Sequence, residues 1–126
     1  VVTRYLVTTL AGDGYGVLDG LGTAAQFKGP HGIGVTPDGG TVVVAEYDSH
    51  VIRAIDIINK KVTTLAGAVD TPGSADGVGT DATFNNPGKL AITPDGTTAL
   101  VCDNTGNKIR AVIIATGKVR TIAGSG

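Results

Sequence analysis

The sequence predicts an all-β protein, and its composition, its hydrophobic periodicity and an internal duplication each support this fold class. The chain has 126 residues, of which 20 are glycine, and only 17% are charged. Glycine is therefore about twice as frequent as the roughly 7% of an ordinary protein, and it disfavours helix. Apolar residues recur with a period of two in short segments, as is typical of strands. The low charge excludes a coiled coil, and the apolar share of 41% excludes a disordered chain.

Two copies of one unit make up most of the chain. Thr-Pro-Asp-Gly occurs at 36–39 and again at 93–96, an offset of 57 residues (93 minus 36). An alignment of 19–69 with 76–126 needs no gap and gives 22 identities in 51 positions. Val-Thr-Thr-Leu-Ala-Gly also occurs both at 7–12 and at 62–67, so the tail of a preceding unit stands at the front. The repeat predicts an extra outer strand at 1–12, a loop and first unit at 13–67, and a loop and second unit at 68–126.

Each unit is predicted to form one antiparallel sheet of four hairpin-connected strands. In the first unit, the strands are assigned to 32–36, 41–46, 51–57 and 61–67. A single small sheet cannot bury both of its faces, so the two sheets must stack. Gly34 and Ala91 occupy equivalent central positions of the first strand, where small side chains let neighbouring sheets converge near an axis. Convergence at one edge predicts the blades of a β-propeller.

The segment 30–57 resembles the NHL repeat, which is a propeller blade. The resemblance rests on the following residues of the first unit: Pro30, Gly32, Ile33, Val35, Val44, Ala45, Glu46, Ser49, His50, Val51, Ile52 and Arg53. The second unit matches with Pro87, Leu90, Ile92, Val101, Cys102, Asp103, Asn107, Lys108, Ile109 and Arg110, and it departs at Lys89 for the glycine and at Asn107 for the histidine. The resemblance implies a platform for protein or RNA, an extracellular module or, more rarely, an enzyme. The long loops between blades, at 13–30 and 68–87, resemble the long-repeat variety that is common in secreted proteins, which implies an extracellular location.

Arg53 and Arg110 are candidate site residues because they recur at one position of the repeat, close to the acidic residues Glu46 and Asp103. They could capture an anion or form an ion pair within each blade, and their repetition favours the ion pair. Five Asp-Gly pairs also occur, but none has the closely spaced oxygen ligands of a calcium loop. These pairs are therefore interpreted as turns.

Three residues with ligand chemistry fall outside the repeat pattern, namely His31, His50 and Cys102. A zinc site needs three or four ligands, and the duplication supplies no set of that size, so no metal or cofactor is expected. His31 lies at the start of an inner strand and is the best candidate for a residue that lines a central channel. We expect His50 to take part in the hydrogen bonding of the repeat, and Cys102 to be a small buried strand residue.

These observations predict a non-enzymatic structural or binding module. The net charge of −1 argues against nucleic acid as a partner, and no apolar run is long enough for membrane insertion. The expected partners are other copies of the chain, in a ring or filament to which residues 1–12 contribute a strand, or the remainder of a longer chain. The longer chain is considered because the sequence begins with Val1 and Val2 rather than Met. The alternative is a slice of a propeller enzyme of lyase or hydrolase type, with metal ligands on its inner strands.

Overall fold

The computed structural model describes residues 3–125, which form two antiparallel sheets of five strands each. The strands of the first sheet, or blade 1, are β1 (Gly20–Leu21), β2 (Pro30–Val35), β3 (Thr41–Glu46), β4 (Val51–Asp56) and β5 (Lys61–Ala66). Blade 2 contains β6 (Gly77–Val78), β7 (Pro87–Ile92), β8 (Thr98–Asp103), β9 (Lys108–Ile113) and β10 (Lys118–Ala123). From the outer to the inner edge, the strand orders are β1-β5-β4-β3-β2 and β6-β10-β9-β8-β7. The all-β fold and the propeller-blade architecture predicted from the sequence are confirmed.

Each blade has a fifth strand that the sequence did not predict. In blade 1, Gly20 pairs with Val62 and Leu21 pairs with Lys61, so the end of the preceding loop extends the outer edge of the sheet. A 3-10 turn at Gly22–Ala24 follows, and the amide of Gly22 donates to the carbonyl of Lys60 at 2.8 Å. The prediction of four-stranded blades was wrong on this point, because two residues are too few to show a hydrophobic period.

The two blades converge along their inner strands, β2 and β7. A Cβ atom at Gly34 would lie 2.8 Å from Leu90 Cδ1 and 2.9 Å from Ile92 Cγ1, so any larger residue would force these side chains to shift. A side chain at Gly32 would collide with the carbonyl oxygen of Gly88. The prediction that a small residue at position 34 allows close approach is therefore confirmed.

The main hydrophobic core fills the space between the blades, which we call the seam. Blade 1 contributes Val43, Ala45, Ile52 and Ala66, and blade 2 contributes Ala82, Phe84, Ala99, Val101, Val112 and Val119. Strand β3 is buried on both faces, because Val42 and Val44 belong to a second, smaller core on the other side of blade 1. Each blade therefore uses one face for the seam and has a second face directed away from it.

Residues 3–12 form no strand, so the predicted outer strand is absent from this part of the chain. Tyr5, Leu6 and Val7 are each about nine-tenths exposed, whereas Leu10 and Ala11 pack on the smaller core of blade 1. The position beside β5 is already taken by β1, and the position beside β10 is taken by β6, so the segment pairs with neither strand. Its predicted crossing to a neighbouring copy stays a prediction, and residues 1 and 2 lie outside the described range.

Within residues 3–125, no helix has the length and apolar character required to cross a membrane.

Candidate functional site

A buried arginine forms the polar centre of each blade. Arg53 is fully buried, and its guanidinium pairs with the buried carboxylate of Glu46 and, at 2.9 Å, with Asp19. The same guanidinium donates to the backbone carbonyls of Gln26 and Leu18, each at 3.0 Å. Both terminal nitrogens of the arginine are thus already bound to carboxylates and carbonyls. This arrangement is the ion pair within the blade, and it leaves little capacity to capture a further anion.

Blade 2 repeats this cluster with its own residues. Arg110 is fully buried, and it lies 2.9 Å from Asp103 and 3.0 Å from Asp76. It also donates to the carbonyl oxygens of Thr83 at 2.9 Å and Ala75 at 2.8 Å. The cluster therefore belongs to the repeat rather than to a site found once in the chain.

Sequence reasoning missed the role of Asp19 and Asp76, which it interpreted only as turn residues. Each carboxylate accepts hydrogen bonds from the arginine and from a threonine of the outer strand, Thr64 or Thr121, at 2.9 Å. The aspartates therefore fasten the loop before each blade to that blade. The recurrence of these two Asp-Gly pairs 57 residues apart (76 minus 19) does not distinguish them, because the turn pairs at 38–39 and 95–96 recur at the same offset.

The contribution of the Asp76 carboxyl to stability depends on pH, because hydrogen bonds lower its pKa. Partial burial acts to raise the pKa of Asp76, but hydrogen bonds from Thr121 and the contact with Arg110 outweigh it and hold the pKa below its ordinary value. A carboxyl with a lowered folded pKa stabilises the fold above the unfolded value of about 4, and this contribution is lost as the pH falls through the folded pKa.

We expect Asp76→Asn to lose less stability than the wild type when the pH is lowered from about 7 to about 3. The difference should be below about 1 kcal/mol, because half of the Asp76 side chain is exposed and solvent screens the pair. Urea unfolding at several pH values measures it. Equal acid sensitivity in the two proteins would contradict the assignment.

His31 lies at the inner edge of blade 1, at the position predicted, and its side chain is exposed. Its ring centroid is 5.4 Å from that of Tyr47, and both residues line a recess together with Lys89, Cys102 and Asn104. Across the residues that the structure describes, no three His, Cys, Asp or Glu side chains are grouped so as to hold a metal ion. A channel-lining role for His31 stays a prediction, since further blades would have to complete a channel.

His50 contributes to the polar rim of the seam. Its Nδ1 atom accepts a hydrogen bond from the backbone amide of Asn86 at 3.0 Å, and the Asn86 side chain donates to the carbonyl of Tyr47 at 3.0 Å. The backbone of His50 has a φ of 62°, in the left-handed region. His50 therefore connects the two blades.

Cys102 is exposed, so the expectation of a buried strand residue was wrong. The equivalent residue of blade 1, Ala45, is fully buried because blade 2 covers it. Cys102 occupies the same position on blade 2, where the described chain provides no further blade. Its exposure follows from its place in the array rather than from its residue type.

Each blade has an apolar face on the side directed away from the seam, and these two faces correspond to the two sides of the seam. The leading face, on blade 1, consists of Phe27, Ile33, Val35, Val42, Val44 and Ile55. The trailing face, on blade 2, consists of Leu100, Cys102, Ile109, Ile122 and Ala123. Ile33 and Val35 are 66% and 51% exposed, and Ile109 and Ile122 are 39% and 49% exposed.

These faces are complementary because the repeat relates each of them to one side of the seam. The leading face has the positions with which blade 2 contacts blade 1, and it surrounds an apolar recess of about 390 Å³. The trailing face has the positions with which blade 1 contacts blade 2. The geometry therefore suits each face to bind another blade.

Comparisons with known proteins agree with a two-blade repeat. The chain is 32% identical over 108 residues to NHL repeat-containing protein 2 of Homo sapiens, and 31% identical over 105 residues to the Bos taurus protein of that name. These alignments cover 86% and 83% of the chain but only 15% and 14% of the relatives. No family model matches the sequence.

Solved structures show the same fold. A protein of unknown function from Bacteroides thetaiotaomicron superposes with a TM-score of 0.74 at 28% identity, over 87% of this chain and 26% of that one. An auxiliary nutrient binding protein from the same species superposes with a TM-score of 0.67 at 23% identity, over 81% of this chain and 26% of that one. At that identity the second likeness concerns the fold alone. The chain thus spans about a quarter of the length of these structures.

Proposed function

We infer that this chain, which belongs to the NHL-repeat family, is a non-enzymatic binding module that acts through protein–protein contacts made by its leading and trailing faces. The partners are blades of the same kind, either in other copies of the chain or in a longer chain. The observation that carries this proposal is that both apolar halves of the seam recur at opposite ends of one molecule, with Ile33 and Val35 exposed on the leading face and Ile109 and Ile122 exposed on the trailing face.

Physical chemistry supports contacts at both faces. Contiguous exposed apolar surface of this kind marks interaction sites in proteins. Because the two faces differ, a contact between them is head-to-tail, and repetition gives a ring if the rotation closes and a filament if it does not. Two blades are below the four to eight or so that close a propeller, so a closed ring needs further blades, from other copies or from a longer chain.

Self-assembly is tested by sedimentation velocity over a range of protein concentrations. We expect the mean mass of the wild type to rise with concentration, and Val35→Asp to lower the association by about tenfold or more, because it places a charge on the leading face. Ile58→Asp is the matched control, since Ile58 is 86% exposed in a turn outside both faces. Monomers of the wild type and of a Leu10→Asp variant at all concentrations would contradict self-assembly, and equal effects of Val35→Asp and Ile58→Asp would contradict the role of the face.

An extracellular location is part of the proposal, and the long interblade loops at 13–30 and 68–87 support it through their resemblance to secreted NHL proteins. Antibody labelling of source cells before and after permeabilisation tests it. Labelling of intact cells or of the culture fluid is expected. Labelling that requires permeabilisation would contradict this location.

A second candidate is a slice of a propeller enzyme, and the recess beside His31 and Cys102 favours it, because both side chains can ligate metals. Metal analysis of the purified protein separates the two candidates. Stoichiometric metal that is lost in His31→Ala would support the enzyme and overturn the proposed module. Metal content at background level in both proteins would support the module.

A further inference from the structure

We propose that residues 10–12 gate self-assembly, because they occupy the part of the leading face that residues 122–124 of a second copy must take. This proposal rests on the proposed function and adds to it a regulated step. The segment and its competitor have almost the same sequence, Leu-Ala-Gly against Ile-Ala-Gly. The structure holds a third version of this sequence, Leu-Ala-Gly at 65–67, within the seam, and this version shows how the sequence packs when a blade follows it.

Gly67 is enclosed from both sides in the seam. A Cβ atom at Gly67 would lie 2.6 Å from the carbonyl oxygen of His50 in its own blade, and 3.2 Å from the ring of Phe84 in the next blade. Its φ of 99° belongs to the left-handed region, and its amide donates to the carbonyl of Gly79 at 3.0 Å. The residue therefore joins the outer strand of one blade to the aromatic ring of the next.

Gly12 has the contact with the following blade but lacks the contact with a blade of its own. Its φ is 101°, its amide donates to the carbonyl of Gly22 at 3.1 Å, and a Cβ atom there would lie 2.9 Å from Phe27 Cδ2. Phe27 and Gly22 are the repeat equivalents of Phe84 and Gly79. Gly12 thus sits on blade 1 in the way that Gly67 sits on blade 2.

Gly124 has the contact with its own blade but lacks the contact with a following blade. Its φ is 92°, and a Cβ atom there would meet the backbone of its own blade at Asn107 and Lys108, as a Cβ at Gly67 would meet His50. Its contact with a following phenylalanine is missing. If the trailing face of one copy docks on the leading face of another in the seam geometry, Gly124 needs the place beside Phe27. Gly12 already fills that place, and two chains cannot occupy it together.

Docking between copies depends on the site beside Phe27, because the inner strands of two copies cannot pack closely. Lys89 stands at the repeat position of Gly32, where a side chain collides with the neighbouring backbone. The inner strands of two copies therefore cannot approach as closely as β2 and β7 do within the chain. Docking therefore depends on the strands farther from the inner edge, including β10, and residues 10–12 obstruct the site that the end of β10 needs.

Residues 10–12, which we call the gate, are attached to blade 1 by few contacts and can therefore be displaced. Only Leu10 and Ala11 pack on the core of blade 1, and the residues before them are exposed. The amides of Gly12 and Asp13 provide the backbone attachment, donating to Gly22 and Ala25 at 3.1 and 3.0 Å. Releasing the segment exposes about one leucine side chain, which docking of Ile122 replaces.

The test compares association constants of three full-length variants by sedimentation equilibrium. Leu10→Asp should displace the segment and lower the dissociation constant for self-association by about tenfold, because burial of one half-covered leucine no longer opposes docking. Ile122→Asp should weaken association by about tenfold or more, because it removes the docking residue. Ile58→Asp should behave as the wild type does. Circular dichroism verifies that each variant is folded.

The outcomes separate the gate from the proposed function. Tighter association of Leu10→Asp supports the gate, including the case in which the wild type alone stays monomeric. Weaker or unchanged association of Leu10→Asp, with a wild type that still assembles, overturns the gate and leaves the binding module intact. Monomers of every variant at all concentrations overturn self-assembly and the gate together.

Hydrogen exchange gives a second readout that does not depend on a substitution. As the wild type associates, the amide of Gly12 should lose protection because its hydrogen bond to Gly22 breaks. The amide of Gly124 should gain protection. Protection of Gly12 that rises on association would show that the segment stays in place, which overturns the gate.

Discussion

Arg53→Met is expected to lower the free energy of unfolding by about 3–5 kcal/mol, because it leaves the buried carboxylate of Glu46 without its cation. The Glu46 carboxylate would keep only the amide of Lys28 at 2.7 Å and the hydroxyl of Ser49 at 3.0 Å as hydrogen-bond donors. Asp19 would also lose its ion pair and keep only the hydrogen bond from Thr64, so the loop before blade 1 should loosen. Denaturant unfolding measures the loss.

Arg120→Met is the matched control, since Arg120 is exposed on strand β10, and we expect it to stay within about 0.5 kcal/mol of the wild type. The double variant Arg53→Met with Glu46→Gln should recover part of the stability, because it removes the unpaired charge. Equal losses in Arg53→Met and Arg120→Met would show that the buried cluster does not stabilise the blade.

Phe84→Ala is expected to lower the free energy of unfolding by about 3–5 kcal/mol, the usual range for deleting a fully buried phenylalanine. Phe84 is 0% exposed, and its ring centroid lies 5.0 Å from the guanidinium carbon of Arg110. The ring also lies against Gly67 across the seam, where a Cβ atom would be 3.2 Å from it. The substitution therefore opens a cavity where the two blades meet.

Phe27→Ala is the internal comparison for this prediction. Phe27 stacks on Arg53 at the same 5.0 Å, but it is only partly buried, because residues 10–12 cover it in place of a whole blade. We expect a clearly smaller loss of stability, measured in the same denaturant series. A loss as large as that of Phe84→Ala would mean that the seam adds nothing to the burial of the ring.

The sequence was sufficient for the strands that carry a hydrophobic period and recur in the duplication. Strand β3 begins and ends where the pattern predicted, and the Asp-Gly turn between β2 and β3 forms with a φ of 73° at Gly39. The small residue at position 34 was also interpreted correctly, because a Cβ atom there would crowd the side chains of Leu90 and Ile92 in the next blade.

Features that depend on distant parts of the chain could not be predicted in this way. Asp19 binds Arg53 from a loop, and nothing in a local Asp-Gly pair distinguishes an ion-pair partner from a turn residue. The exposure of Cys102 depends on whether another blade covers it, which the pattern of its own strand does not state. Residues 7–12 have the sequence of a strand but form none, because a strand also needs a free edge to pair with.

The pairing of β1 with β5 constrains the order in which the chain folds. Strands β2 to β5 join through short hairpins and can form as soon as each hairpin is complete, but Gly20 must wait for Val62 before it can pair. Closing so long a loop is slow in comparison with closing a hairpin. During synthesis, Phe27 and Asp19 therefore remain without their partners until most of the first blade has left the ribosome. We expect the loop at 13–30 to be the last part of blade 1 to gain protection from proteases in a refolding time course.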